Sequence, residues 1–156
     1  MKKFILIFLI FFYALPGFSQ WITKTVDNKL DPPYRIAYCS TASKRGMLKL
    51  ENVEGQIAFY VTGSYFCDES PSVDISFVVN GEPKRYTITG YKSSDSRTIF
   101  LFDNLLDPEN LEVLSDFKKC SSMVIRINES HCTSEFYTFV MTGSSSAVEF
   151  MSKQLN

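Results

Sequence analysis

His131 is the only histidine in the sequence, and Ser130 stands beside it. A serine, an imidazole and a carboxylate are the parts of acyl-transfer chemistry, in which the imidazole takes the hydroxyl proton. Neighbours on an extended strand point to opposite faces, however, and the sequence contains no Gly-x-Ser-x-Gly elbow to lift a serine onto a sharp turn. His131 is therefore expected as a turn residue between two strands, and no catalytic residue is assigned.

The carboxylates Asp68, Glu69 and Asp74, and separately Asp103 and Asp107, cluster in sequence as a glycosidase pair or calcium ligands would. Neither cluster has the Asp-x-Asp-x-Asp-Gly rhythm of a calcium loop, so both are expected to solvate loops and protect strand edges. Gly143-Ser144-Ser145-Ser146 precedes a helical pattern and offers amide donors to an anion, but a plain structural cap explains it as well.

Four cysteines, Cys39, Cys67, Cys120 and Cys132, allow three pairings. Loop-closure cost favours sequence neighbours, Cys39 with Cys67 and Cys120 with Cys132. With no Cys-x-x-Cys and His131 directly against Cys132, zinc spacing is absent, and neither a metal nor a cofactor is expected.

Aromatic side chains form the other group capable of recognition. Tyr60, Tyr65, Phe66, Phe100, Phe102, Tyr137 and Phe139 put rings on both parities of several strand-like segments. Either both sheet faces are covered, which is the favoured expectation, or one is a patch for a partner, with Tyr137 and Phe139 as the candidate interaction face.

The elements that must position these residues are mainly β. Val73 to Val79 alternates, Asn80-Gly81 supplies two residues tolerant of positive φ, and Lys84 to Thr89 runs back, which predicts a hairpin. Further strands are expected at Trp21–Val26, Tyr34–Cys39, Met47–Glu51, Gln56–Thr62, Arg97–Phe102, Met123–Asn128 and Phe136–Thr142. Asp31-Pro32-Pro33 reads as an extended loop, because proline withholds amide donors.

Asp107-Pro108-Glu109 opens a helix with the stripe Leu111, Leu114 and Phe117 and a basic end at Lys118-Lys119. Ser146 and Glu149 form a capping box for a short C-terminal helix. The expected fold is an antiparallel β-sandwich or flattened barrel with one internal and one C-terminal short helix.

Lys2-Lys3, the apolar run Phe4 to Leu15 and the small residues Gly17 and Ser19 have the three regions of a secretory signal peptide, predicting cleavage after Ser19. That leaves residues 20–156 as a single domain, periplasmic or secreted, touching a membrane only if the signal stays uncleaved. Loss of Lys2 and Lys3 takes the formal charge from −1 to −3, and the remaining basic residues fall in isolated pairs, so nucleic acid is not an expected partner.

Trp21 just after the signal exit, a long run of paired strands holding Cys67, and a final strand passing through Gly143-Ser144 into a helix together resemble small exported proteins of Gram-negative bacteria. The groups concerned are the invasion-associated locus B type and the type VI secretion accessory type. The resemblance implies a non-catalytic envelope accessory module that binds a protein or envelope component. A secreted inhibitor or immunity-type protein is the alternative, and a small hydrolase comes third.

Overall fold

The structure is a computed structural model, and it describes residues 21–28 and 31–153. The signal-peptide expectation, on residues 1–19, lies outside the described residues.

Two antiparallel sheets face each other and do not close into a barrel, so the sandwich form of the expectation holds. In chain order the strands are β1 Ile22–Asn28, β2 Asp31–Ser40, β3 Met47–Val53, β4 Gln56–Thr62, β5 Ser72–Val79, β6 Glu82–Thr89, β7 Tyr91–Lys92, β8 Thr98–Phe102, β9 Ser122–Asn128 and β10 Glu135–Val140. The first sheet has the order β1-β2-β3-β4-β8-β7 and the second β10-β9-β5-β6. The short β7 is the strand that the sequence did not announce.

The hairpin of β5 and β6 forms as its turn chemistry dictates: Asn80 at φ 53° and Gly81 at φ 84° both occupy the left-handed region, which matches the twist of the strands they join. Pro32 and Pro33 lie within strand β2 rather than in a loop, correcting the expectation, although neither has a register partner on β1 or β3. They fall where the β1–β2 register shifts between Val26 and Asn28, a break in the ladder that tolerates missing amide donors.

A 3-10 turn, Pro108–Asn110, leads into helix α1, Leu111–Lys119, and helix α2 spans Ser144–Ser152. The core-facing residues of α1 are Val113, Asp116 and Phe117, while Leu111 is exposed and Leu114 half-buried, so the stripe is rotated from the one expected. At about 3.6 residues per turn, positions 111, 114 and 117 drift round the axis and do not share one face, so the face that buries Val113, Asp116 and Phe117 leaves Leu111 on the far side. Helix α2 begins two residues before Ser146, with Gly143 at φ 91° as its N-cap and no side-chain cap.

The inward parities of both sheets, among them Leu48, Leu50, Ile57, Phe59 and Val61 facing Val73, Ile75, Phe77, Ile125 and Phe139, make one buried core. The second sheet is two strands narrower than the first, and α2 packs over β1, β2 and β3 to complete the layer. Asn52 Nδ2 donates to the Met151 carbonyl at 2.5 Å and ties that helix down. The Tyr137 ring lies against Gly46 and Gly63, where a β-carbon on either glycine would fall inside contact distance of the ring or its hydroxyl.

Candidate functional site

Two places gather polar groups capable of chemistry. The first joins the loop before β5 to the loop after β9. Because β5 starts opposite the end of β9, with Ser72 paired to Asn128, both loops leave the second sheet at the same end. A disulfide links Cys67 to Cys132 there, with Cα atoms 6.1 Å apart. This corrects the expected pairing: Cys39 and Cys120 are buried thiols outside it.

Carboxylates lock the loops from both sides. Glu129 Oε1 accepts the backbone amides of Cys67 at 2.5 Å and Asp68 at 3.1 Å. Asp68 Oδ2 accepts the Ser130 amide at 2.5 Å and its hydroxyl at 2.8 Å, and Asp68 Oδ1 lies 2.7 Å from His131 Nδ1. Lys92 Nζ donates to the Cys67 carbonyl at 3.0 Å and pairs with Glu69 at 2.8 Å.

The sequence argument separated Ser130 from His131, and the structure brings them together, with Oγ and Nδ1 3.0 Å apart. The alternation rule fails because β9 has already ended at Asn128 and both residues sit on a loop. The arrangement is still unlike a proton relay. A relay holds serine on one ring nitrogen and the acid on the other, whereas here both approach Nδ1 and the serine hydroxyl donates to the acid. His131 is 81% exposed, so little excludes water from its ring.

The Ser130 amide foremost, with His131 and the Ser130 hydroxyl, lowers the Asp68 carboxyl to about 2. A carboxyl depressed by folding contributes stability that is present above its unfolded pKa of about 4 and is lost as pH falls towards 2. The melting temperature of Asp68→Asn is therefore expected to lie below that of the parent at pH 7 and to converge on it between pH 4 and pH 2. A gap that persists at pH 2 would show that this carboxylate is not the group titrating.

The second place is the outer face of the first sheet. Leu48, Leu50, Ile57, Phe59 and Val61 point inward, so the opposite parity puts Lys49, Glu51, Ala58 and Tyr60 outside, next to Phe100 of β8. Ala58 leaves the floor low between larger neighbours, and the result is an open trough of ≈ 610 Å³. The Tyr60 hydroxyl donates to Glu51 Oε2, which also lies 3.5 Å from Lys49 Nζ. The same ammonium sits 5.1 Å from the centre of the Tyr60 ring, and the Phe100 ring lies 5.3 Å away on the other side. Crowded in this way, Tyr60 is only 7% exposed, and burial above all raises its hydroxyl far beyond the ordinary tyrosine range. Asp95 and Asp103 are exposed at the rim.

Tyr137 and Phe139 do not form an interaction face: both are buried in the core, and Phe136, Thr138 and Val140 take the solvent side of β10. Either parity of that strand carries a large aromatic, so composition could not choose between them. Phe66 is likewise buried, whereas Tyr65 is exposed. Asp74 and Asp107 are taken up by local hydrogen bonds, the first with Thr87 and Asn128, the second with Asn104. The Ser144 hydroxyl faces the Lys118 carbonyl at 3.5 Å.

The trough residues Lys49 and Asp95 were missed, and Asp103 was weighed only as an acid clustered with Asp107. Their one sequence signal was Tyr60 standing on the parity opposite Ile57, Phe59 and Val61. Comparison with protein-family models, with curated proteins and with solved structures finds no match.

Proposed function

We propose that this is an exported, non-catalytic binding module of the bacterial envelope whose ligand surface is the trough on the outer face of the first sheet. The observation that carries the reading is the trough itself. At ≈ 610 Å³ it falls within the range of ligand sites, and its floor combines two rings with an anchored carboxylate–ammonium pair. Export draws support from the signal-like N-terminus and from the Cys67–Cys132 disulfide, which fits an oxidising compartment. Among the described residues, no helix is long and apolar enough to cross a membrane.

A hydrolase is the second reading, favoured by the convergence of Ser130, His131 and Asp68. Amide hydrogen exchange of the mature protein with envelope extract separates the two. Protection is expected on β3, β4 and β8, equally in the parent and in His131→Ala. Protection confined to residues 129–132, or lost in His131→Ala while the fold survives, would favour the hydrolase. Mass spectrometry of the extracytoplasmic protein is expected to give a chain beginning at Gln20, and one beginning at Met1 would mean a retained anchor.

A further inference from the structure

We propose that the trough takes an extended basic segment of another protein, with lysine or arginine side chains directed to carboxylates at its two ends. This inference rests on the trough being the binding surface and names what enters it.

Shape gives the first argument. Thr98 pairs with Thr62 and Phe102 with Phe59, so the trough runs lengthwise between these two rows. Asp95 marks one end, held there by a hydrogen bond from the Thr98 hydroxyl at 3.2 Å, and Asp103 follows Phe102 at the other. The five strand residues Thr98–Phe102 span roughly 17 Å, the length of about five residues of extended peptide. β4 is paired on both sides and β8 is paired with β4 and, at Ile99 and Phe100, with the short β7, so a guest lying on the sheet face is held by side chains.

Charge gives the second argument. Glu51, Asp95 and Asp103 line the trough against the single ammonium of Lys49. That ammonium is already committed, lying against Glu51 and over the Tyr60 ring, so the net negative charge of the lining rests on exposed Asp103 and on exposed Asp95, whose oxygens also accept from the Ser93 and Thr98 hydroxyls and the Arg97 amide. The resident lysine also shows which kind of group this floor accepts, since a ring face backed by a carboxylate favours a cation.

The same lysine argues against a neutral sugar chain. Sugar recognition by stacking needs an open ring face, and Tyr60 is 7% exposed beneath Lys49 and Phe100. Gln56 in the lining can donate to and accept from peptide groups along the guest, and the Thr62 and Ser93 hydroxyl oxygens, whose protons go to the Met47 carbonyl and Asp95, can still accept. A polyamine has the charges and lacks those groups.

The test is a titration of the full mature chain, disulfide intact, with a capped hexalysine peptide followed by fluorescence anisotropy. Spermine and cellohexaose serve as competitors, and labelled hexaglutamate is titrated separately. Hexalysine is expected to bind, to weaken as salt is raised, and not to be displaced by cellohexaose, while hexaglutamate does not bind. Asp95→Asn together with Asp103→Asn is expected to weaken it about tenfold, as loss of charges facing a basic partner should. Asparagine at 95 keeps a side-chain oxygen for its turn, and Asp103→Asn alone, at an exposed position, gives a second variant whose fold is not in question. An unchanged affinity in both variants overturns the inference. So does tighter binding of spermine, which would mean a small-cation site, or of cellohexaose, which would mean a glycan site. If hexalysine fails to bind while envelope extract still protects β3, β4 and β8 from exchange, this inference falls and the binding-module reading stands. If neither occurs, both fall.

Discussion

Replacing Phe117 with alanine is expected to destabilise the protein by about 3–5 kcal/mol, the range for deleting a buried phenylalanine ring. The upper half of that range applies because three rings drawn from both sheets meet at this ring. Its centre lies 5.3 Å from Phe59 of the first sheet, 6.4 Å from Phe77 of the second and 5.7 Å from Trp21 at the head of β1, each in an edge-to-face arrangement. Truncation would leave a cavity walled by two rigid sheets, which cannot collapse to fill it, and α1 would lose its deepest anchor. Domains of this size are stable by only about 5–15 kcal/mol, so roughly a quarter or more of the total is at stake. Urea unfolding at pH 7 reads it as a fall in midpoint at nearly constant slope. A loss under about 1 kcal/mol would mean that the helix docks without this ring.

Removal of the Cys67–Cys132 bridge, by serine at both positions, is expected to cost about 4 kcal/mol through the added freedom of the unfolded chain. The bridge spans 65 positions, far more than the neighbour pairing expected from sequence, and so constrains the unfolded state more strongly. Peptide mapping without reduction should recover Cys67 linked to Cys132, with Cys39 and Cys120 alkylated only after unfolding. Burial pushes the Cys120 thiol up to about 12, so little thiolate is present in the native protein near neutral pH. Linked peptides containing Cys39 or Cys120 would refute this connectivity. A melting temperature unchanged in the double serine variant would refute the energetic account.

What could be read from sequence divides along the distance over which each decision is made. The β5–β6 hairpin was legible because the two residues that permit its turn lie between the two strands that it joins. The sandwich followed from alternation within single strands. The disulfide was not legible, because Cys67 meets Cys132 only once β9 has paired with β5, and no local signal ties those strands together. Nor was the inward parity of β10, where Phe136 and Phe139 compete with equal apolar weight. What decides it is the fit of Tyr137 against two glycines that flank β3 and β4 of the other sheet. For Ser130 and His131, a strand rule was applied one turn too far along the chain. The trough depended on sheet order again, since Phe100 joins Tyr60 only through the β4–β8 pairing.

The Tyr137 ring against Gly46 and Gly63 also constrains how this sequence is free to drift. Alanine at either glycine leaves no room for the ring, and a smaller residue at 137 leaves a void over both. The three positions, far apart in the chain, therefore form one unit of inheritance. A lineage that changes one must change another in step, so descendants are expected to show either the aromatic with both glycines or a small residue with side chains on one of them.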